Sequence, residues 1–470
     1  MPTRLFSLED KLDKMRQGDN LSPLLFSLFI NDFEAYFSSK YNGLKRLNTL
    51  FTRTVQNEEF EAFLKLYILL YADDTIIMAE DSVDLQDALD AVSSYCEQWK
   101  LKINVNKTKI IKFVKQKHPN NVNQYDFWLN GEKVDVVDNY VYLGTTISYN
   151  GKYSKAIEKQ VVQAQRALFV IKSKKEMYDL PIDIVLDLFD KMILPILLYG
   201  CEIWGYENIN SIEVFYRKFL KYILKLNKQT ASCMVYGKAG RKPISIAIKS
   251  RMICFWHKIT TGPKNKLSYK MTSLLKNLHV QNKHSAPWLK KIEQILNTCG
   301  MGHVWLNPDL VNHNWLKKAI EQRLSDIYIQ DWQSKVDRMS SCITYRSIKP
   351  YFKQEKYLML PNIADRINIC RFRCRNSKIP VVIHGYTNRN NPTIAYEDRI
   401  CDLCDKNELG DEYHYILECP VFQTPRNRYI SEFYARNPSM EKFTLLLQSN
   451  NVAVLSKLAK LIHEINRTFR

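Results

Sequence analysis

The sequence contains no run of about 18 apolar residues or more, the length a helix needs to cross a bilayer. Its longest apolar stretch, Met192 to Trp204, is shorter, holds Pro195 and carries Glu202, and is expected to be a buried helix end. The first residues, MPTRLFSLEDKLDK, lack the apolar centre of a secretory leader, so none is expected. Glycine and proline are scarce, 14 and 16 in 470 residues, which excludes a collagen-like repeat and a wholly disordered chain. The 11 cysteines are odd in number and mostly scattered, which argues against a secreted disulfide framework and for a reducing interior. Acidic side chains are also in deficit. Against 68 Lys and Arg stand 49 Asp and Glu, a net charge of +19. Such a surplus suits a polyanionic partner, because each neutralised phosphate releases condensed counterions. An acidic membrane surface would attract it too, so charge by itself leaves both open.

What is present is ordinary for a folded protein: 46% hydrophobic and 25% charged residues. The length suits about three domains. Ser22 and Pro23 are a helix start, an N-cap followed by a proline whose missing N–H costs nothing there. Leu24, Leu25, Leu28, Phe29 and Phe33 then recur at helical spacing. Leu66 to Ala72 and Thr75 to Met78 are apolar runs of strand length on either side of Asp73 and Asp74, which predicts a hairpin with two carboxylates at its tip. Asp81 or Ser82 caps a helix whose stripe is Leu85, Leu89, Val92, Cys96 and Trp99. Leu101 to Phe113 alternates like a strand, and Phe127 to Ile147 is expected to form further short strands with a turn at Asn130 and Gly131. From about Tyr153 the pattern is helical, with aromatic and basic residues interleaved and no internal repeat.

Two constellations carry chemistry. Adjacent carboxylates framed by apolar strands are costly unless a cation compensates them. Oxygen ligands suit Mg²⁺, and paired metal carboxylates support in-line phosphoryl transfer. The alternative for Asp73 and Asp74 is a solvated β-turn. The second constellation is Cys401, Cys404, His414 and Cys419, spaced C-x2-C-x9-H-x4-C with a turn-like DKNELGDE between the halves. Three thiolates and an imidazole favour Zn²⁺, and four protein ligands make the expected site structural. Arg371, Arg373, Arg375, Lys378 and Arg399 nearby suit a basic surface facing nucleic acid, or a solvated face. Cys370 and Cys374 lack a following histidine pair and are expected to be buried thiols. His257, His303 and His313 are expected to be structural.

Taken in order, Arg16 to Phe26 (RQGDNLSPLLF), Tyr71-Ala72-Asp73-Asp74, Leu101 to Thr108 (LKINVNKT) and Tyr142-Leu143-Gly144 resemble successive palm motifs of reverse transcriptases, most closely those of non-LTR, LINE-like retrotransposons. The terminal Cys/His set resembles the knuckle many of these enzymes carry. The resemblance implies that Gln17 and Gly18 lie against template and incoming nucleotide, with Tyr71 and Ala72 beside them. It implies that Asp73 and Asp74 hold the metal, with Asp73 the direct ligand. Lys107 falls where such polymerases place a lysine near the phosphates, or is a solvated strand-end charge. Tyr142, Leu143 and Gly144 match a hairpin that grips the primer, or a plain strand end and turn.

The fold class implied is α+β: a partial palm over residues 1–150, a thumb-like helical region over 151–230, a helical region of unknown role over 231–390, and a zinc knuckle with C-terminal helices over 391–470. The family also needs a further metal-binding aspartate on an earlier strand. Only 16 residues precede Gln17, and Asp10 and Asp13 there lie outside any apolar strand. The expectation is a chain that starts within the palm, without the fingers or an endonuclease. The implied activity is RNA-directed DNA synthesis on an RNA template and DNA primer with deoxynucleoside triphosphates and Mg²⁺, in the nucleus or cytoplasm. The alternative is a catalytically inactive nucleic-acid-binding remnant.

Overall fold

A computed structural model describes residues 28–41, 68–71, 74–114, 125–173, 180–281, 286–377, 379–383 and 394–469. Gln17, Gly18, Ser22, Pro23, Ala72, Asp73 and Lys378 lie outside the described residues. Chain contacts divide the molecule into two units. The first runs up to Lys152 and includes the short segment Asn265–Lys270; the second comprises Tyr153–Lys264 and Met271–Arg470.

In the first unit, helix α1 (Phe33–Lys40) packs on helix α2 (Ser82–Gln98). Phe33, Phe37 and Tyr41 meet Ala88, Ala91, Val92, Tyr95 and Cys96 in one small core. The α2 stripe is spaced three and four apart, so its apolar residues share one face. Asp81 starts the helix: its carboxylate accepts from Val83 N and Asp84 N, both at 3.0 Å. The Tyr95 hydroxyl donates to Asp32 Oδ1 at 2.6 Å and ties the two helices.

Among the described residues, seven short strands form three separate sheets. Strands β1 (Ile68–Tyr71) and β2 (Asp74–Ile77) are an antiparallel pair. Strand β3 (Lys109–Ile110) runs parallel to β5 (Glu132–Val136), which pairs antiparallel with β4 (Phe127–Leu129). Strands β6 (Asn139–Tyr142) and β7 (Thr145–Ser148) form the third pair. Phe127, Leu129 and Val134 close a second small core with Leu89 of α2. The expected turn at Asn130 and Gly131 is present. Both residues have positive φ, 51° and 75°, as a two-residue hairpin of this hand requires.

The strand expected over Leu101 to Phe113 shrinks to Lys109–Ile110. Asn104 is the reason. Its side-chain oxygen accepts from Lys107 N, and its carbonyl accepts from the N–H groups of Lys107 and Thr108, so the backbone turns. Ile103 and Val105 still pack inward, which is why the alternation was there to see.

Among the described residues the second unit is helical, and most of its buried apolar residues join one large core. Helix α3 (Ser154–Ser173) buries Ala156, Ile157, Val161, Ala164 and Leu168. After Ile182–Leu188 comes a π-helical turn, Phe189–Ile193, and two short helices that end at Trp204. The Met192 to Trp204 stretch is buried at Ile193, Leu197, Leu198, Cys201 and Trp204, with Met192, Tyr199 and Ile203 exposed. Helices α4 (Asn210–Ile223), α5 (Ser232–Ala239), α6 (Ile244–Thr260), α7 (His313–Arg338), α8 (Ile343–Ile348), α9 (Ile363–Arg373) and α10 (Val452–Thr468) join the same core, which extends from Ile157 to Ile465. No helix among the described residues is long and apolar enough to cross a membrane.

Charged groups are also enclosed here. Glu355 is buried among Arg373, Lys238 and Lys349, with Arg373 Nη1 at 2.6 Å. Lys238 Nζ also donates to the Tyr357 hydroxyl at 3.0 Å. Burial works against the Glu355 charge, yet the three cations hold its carboxyl below the usual range. Burial pushes Lys349 down to about 8 against the pull of Glu355.

Candidate functional site

A hairpin forms where the strand pattern predicts one, but shifted by one residue: Asp74, expected at the tip, is the first residue of β2. Tyr71 pairs with Asp74 and Leu70 with Thr75, so only two residues, Ala72 and Asp73, separate the strands. Asp74 opens β2 and is exposed, an oxygen donor open to solvent. Hard oxygen donors of this kind fit Mg²⁺.

Lys107 is exposed on the turn that Asn104 organises, and its carbonyl accepts from the Tyr140 hydroxyl at 3.2 Å. Tyr140 belongs to β6, so a hydrogen bond links the lysine turn to the next hairpin. That hairpin turns at Leu143 and Gly144, with φ of 46° and 77°. Leucine is poorly suited to the left-handed region, because its Cβ crowds the following carbonyl. The strained Leu143 leaves an apolar side chain partly exposed beside Val141, also exposed.

The Cys/His set assembles in the second unit. Cys401 N donates to Glu408 O and Gly410 N to Arg399 O, so residues 399–410 fold back as a narrow hairpin. The hairpin needs glycine at 410. A Cβ there would lie 2.7 Å from the Tyr415 hydroxyl and 3.2 Å from Cys401 Cα. His414 opens a one-turn π-helix, His414–Glu418, and Cys419 follows with its N–H on the His414 carbonyl at 2.7 Å. The Cys401, Cys404, His414 and Cys419 ligand atoms all lie within 4.8 Å of one another. Cys404 Sγ stands 3.4 Å from His414 Nε2. A tetrahedral zinc with ordinary bond lengths gives an S···N edge of about 3.5 Å. The four residues therefore fit a metal.

Second-tier contacts support that fit. His414 Nδ1 donates to Glu408 Oε2 at 2.9 Å, which leaves Nε2 aimed at the thiols. Burial pushes the Cys419 thiol up to about 12, and Cys401 and Cys404 add to the rise. A bound divalent cation reverses this order and deprotonates the thiols. Buried Arg426 donates to the carbonyls of Ile416 and Cys419, both at 2.7 Å, and braces the last ligand. Sequence reasoning missed Glu408 and Arg426. Glu408 had a signal, a carboxylate inside the knuckle beside the histidine. Arg426 had none.

The basic surface proposed ahead of the knuckle needs correcting. Arg371 is exposed, with Nε donating to Lys225 O at 2.9 Å. Arg373 faces the core and is 5% exposed, because α9 turns it onto Glu355. Arg375 is mostly buried, its side chain 12% exposed and 3.7 Å from buried Glu412. Arg399 spends its guanidinium on the carbonyls of Ile394 and Val381. Helical spacing explains the error: residues two apart on a helix point in different directions. Cys370 and Cys374 are buried, as expected. His257 and His313, expected as scattered structural residues, meet at 3.3 Å between their Nδ1 atoms.

Residues 11–147 match the sequence family described as reverse transcriptase (RNA-dependent DNA polymerase), a segment that lies within the first unit. By this match and by the relatives below, the segment is similar to reverse transcriptases of mobile elements. An uncharacterized transposon-derived protein of Caenorhabditis elegans is 28% identical over 148 residues, 31% of this chain and 51% of the relative. The RNA-directed DNA polymerase from mobile element jockey of Drosophila melanogaster is 23% identical over 220 residues, 44% of this chain and 21% of the relative. The chain thus spans about half the length of the first relative and about a fifth of the second.

Proposed function

We propose that this chain contributes the aspartate hairpin and the zinc-bearing region of a LINE-like RNA-directed DNA polymerase. The observation that carries the proposal is the carboxylate-tipped β1–β2 hairpin inside the reverse-transcriptase segment. Asp73 and Asp74 would hold Mg²⁺, which when bound neutralises charge on the attacking and leaving oxygens of nucleotidyl transfer. Lys107 would sit near the phosphates. Gln17, Gly18, Tyr71 and Ala72 would face template and nucleotide. Tyr142, Leu143 and Gly144 would position the primer end, with the exposed Leu143 and Val141 offering apolar contact. Cys401, Cys404, His414 and Cys419 would hold a structural Zn²⁺. RNA template, DNA primer and deoxynucleoside triphosphates are the substrates in this reading.

The test is primer extension on an RNA template with Mg²⁺. Extension that disappears in Asp73→Asn supports the proposal. Absence of extension under every condition overturns it for this chain. A second reading, nucleic-acid binding without synthesis, is favoured by one observation: the metal-fitting Cys/His centre and the +19 charge do not depend on the hairpin. It expects RNA or DNA binding with a steep salt dependence. Binding that ignores salt counts against it.

A further inference from the structure

Cys233 and Cys342 are 109 residues apart in sequence, yet their sulfurs lie 3.6 Å from each other. Cys233 sits in the first turn of α5, where unpaired backbone N–H groups favour a thiolate. Cys342 closes a 3-10 turn, Ser340–Cys342, at the joint between α7 and α8. Met339 Sδ is 3.7 Å from Cys233 on the same side. A cavity reaches Cys233, and Arg217, Ser232, Tyr328, Trp332 and Lys335 line it. Ser232 and Lys335 are exposed, which gives a water-borne reagent a way in. Glu213 lines the cavity as well, its carboxylate accepting from the Tyr236 hydroxyl and Ser245 N, so Arg217 and Lys335 leave an excess of one positive charge beside the cysteine. Cys342 hydrogen-bonds to the Cys233 sulfur and holds that thiol below its usual range, against the effect of burial.

We propose that Cys233 and Cys342 form a reversible thiol–disulfide site, oxidised by a small hydroperoxide that enters through the cavity beside Cys233. The Cys233 thiolate attacks one oxygen of the O–O bond. An S–O bond forms, the O–O bond breaks, and the leaving oxygen departs as hydroxide or alkoxide and takes up a proton. Cys342 Sγ then attacks the Cys233 sulfur. The S–S bond forms, the S–O bond breaks, and the oxygen leaves as water with the Cys342 proton. The two thiols lose two electrons and the hydroperoxide gains them. Bond formation brings the sulfurs from 3.6 Å to about 2.05 Å. The product ties the start of α5 to the α7–α8 joint, and a dithiol reverses it.

The experiment treats the full chain with hydrogen peroxide at or below one equivalent, blocks remaining thiols, and maps peptides without reduction. The expected result is a Cys233–Cys342 linked peptide as the main product, lighter than its two parts by two hydrogens and lost on dithiothreitol treatment. Cys342→Ser should instead trap Cys233 as a dimedone-reactive sulfenic acid, which the wild type shows only transiently. Circular dichroism checks that the variant is folded. If it is not, pairing of Cys233 and Cys342 in the wild-type map decides by itself. Oxidation confined to Cys370 and Cys374, to Met339 or to the knuckle thiols, with Cys233 and Cys342 still free to alkylate, overturns the proposal. So does a sulfenic acid on Cys233 that persists equally in wild type and variant.

Discussion

The two units place their chemistry in opposite ways. In the first, the described residues form two small cores and three separate sheets, and the functional candidates stand at exposed positions: Asp74 at the start of β2, Lys107 on its turn, Leu143 and Gly144 between β6 and β7. In the second, one large core encloses its charged and sulfur-bearing groups: Glu355 with Arg373, Lys238 and Lys349, Cys233 with Cys342, His414 with three cysteines. A hairpin tip is fixed by neighbours in sequence, so a motif there is local. A buried cluster is fixed by packing, so its members can come from anywhere in the chain. Proximity in sequence is therefore a good guide to the first unit and a poor one to most of the second.

The sharpest way to break this contrast is the proposed metal centre. Cys404→Ser should lower bound zinc from about one equivalent to none and destabilise the second unit by about 5 kcal/mol or more. Metal analysis with thermal unfolding reads both, and unchanged unfolding would mean the knuckle is not part of that unit's stability. Next in size is the hairpin. Asp74→Asn should cut primer extension roughly a thousandfold, about 4 kcal/mol in barrier height. Unfolding of the second unit should not change, and a shift there would undo the separation of the two.

Arg373 and Arg371 sharpen the comparison within one helix. Arg373→Gln leaves Glu355 buried with weaker compensation and should cost about 3 kcal/mol in urea unfolding. Arg371→Gln should leave stability within about 0.5 kcal/mol and reduce the salt slope of nucleic-acid binding instead. Equal losses from both would contradict their different burial.

Lys349 gives a smaller, pH-dependent effect. Its folded pKa, about 8, lies below the ordinary lysine value of 10.5. Between these values the unfolded chain binds more protons than the folded one, so stability from this group rises with pH through that window. From pH 8 to 10 the gain is about 2 kcal/mol, and Lys349→Met should flatten the slope. The smallest change is at the α2 cap. Asp81→Ala removes two accepted hydrogen bonds and should cost about 1 kcal/mol, confined to the first unit.

Much of this was legible from residues alone. The α2 stripe, the Asp81 cap, the Asn130-Gly131 turn and the two-residue carboxylate hairpin follow from spacing and local turn chemistry. The Cys/His cluster was legible because its four members fall within one short segment whose turn closes on itself. Arg373 was misread because a run of basic residues looks like a surface until the helix phase and a carboxylate 18 residues upstream are known. The Asn104 turn was misread because apolar alternation survives a break in the backbone ladder.

The sequence by itself determined the segment that matches reverse transcriptases, the paired aspartates and the composition of the Cys/His set, all of which depend on residues close together in the chain. Only the tertiary structure decided which charges are spent inside the core and which thiols touch. Glu355 draws Lys238 from one side of the sequence and Arg373 from the other, and Cys342 reaches Cys233 across 109 residues. A single hydrophobic core of this size brings remote segments into contact, and a buried charge or thiol takes its properties from whatever that packing puts beside it.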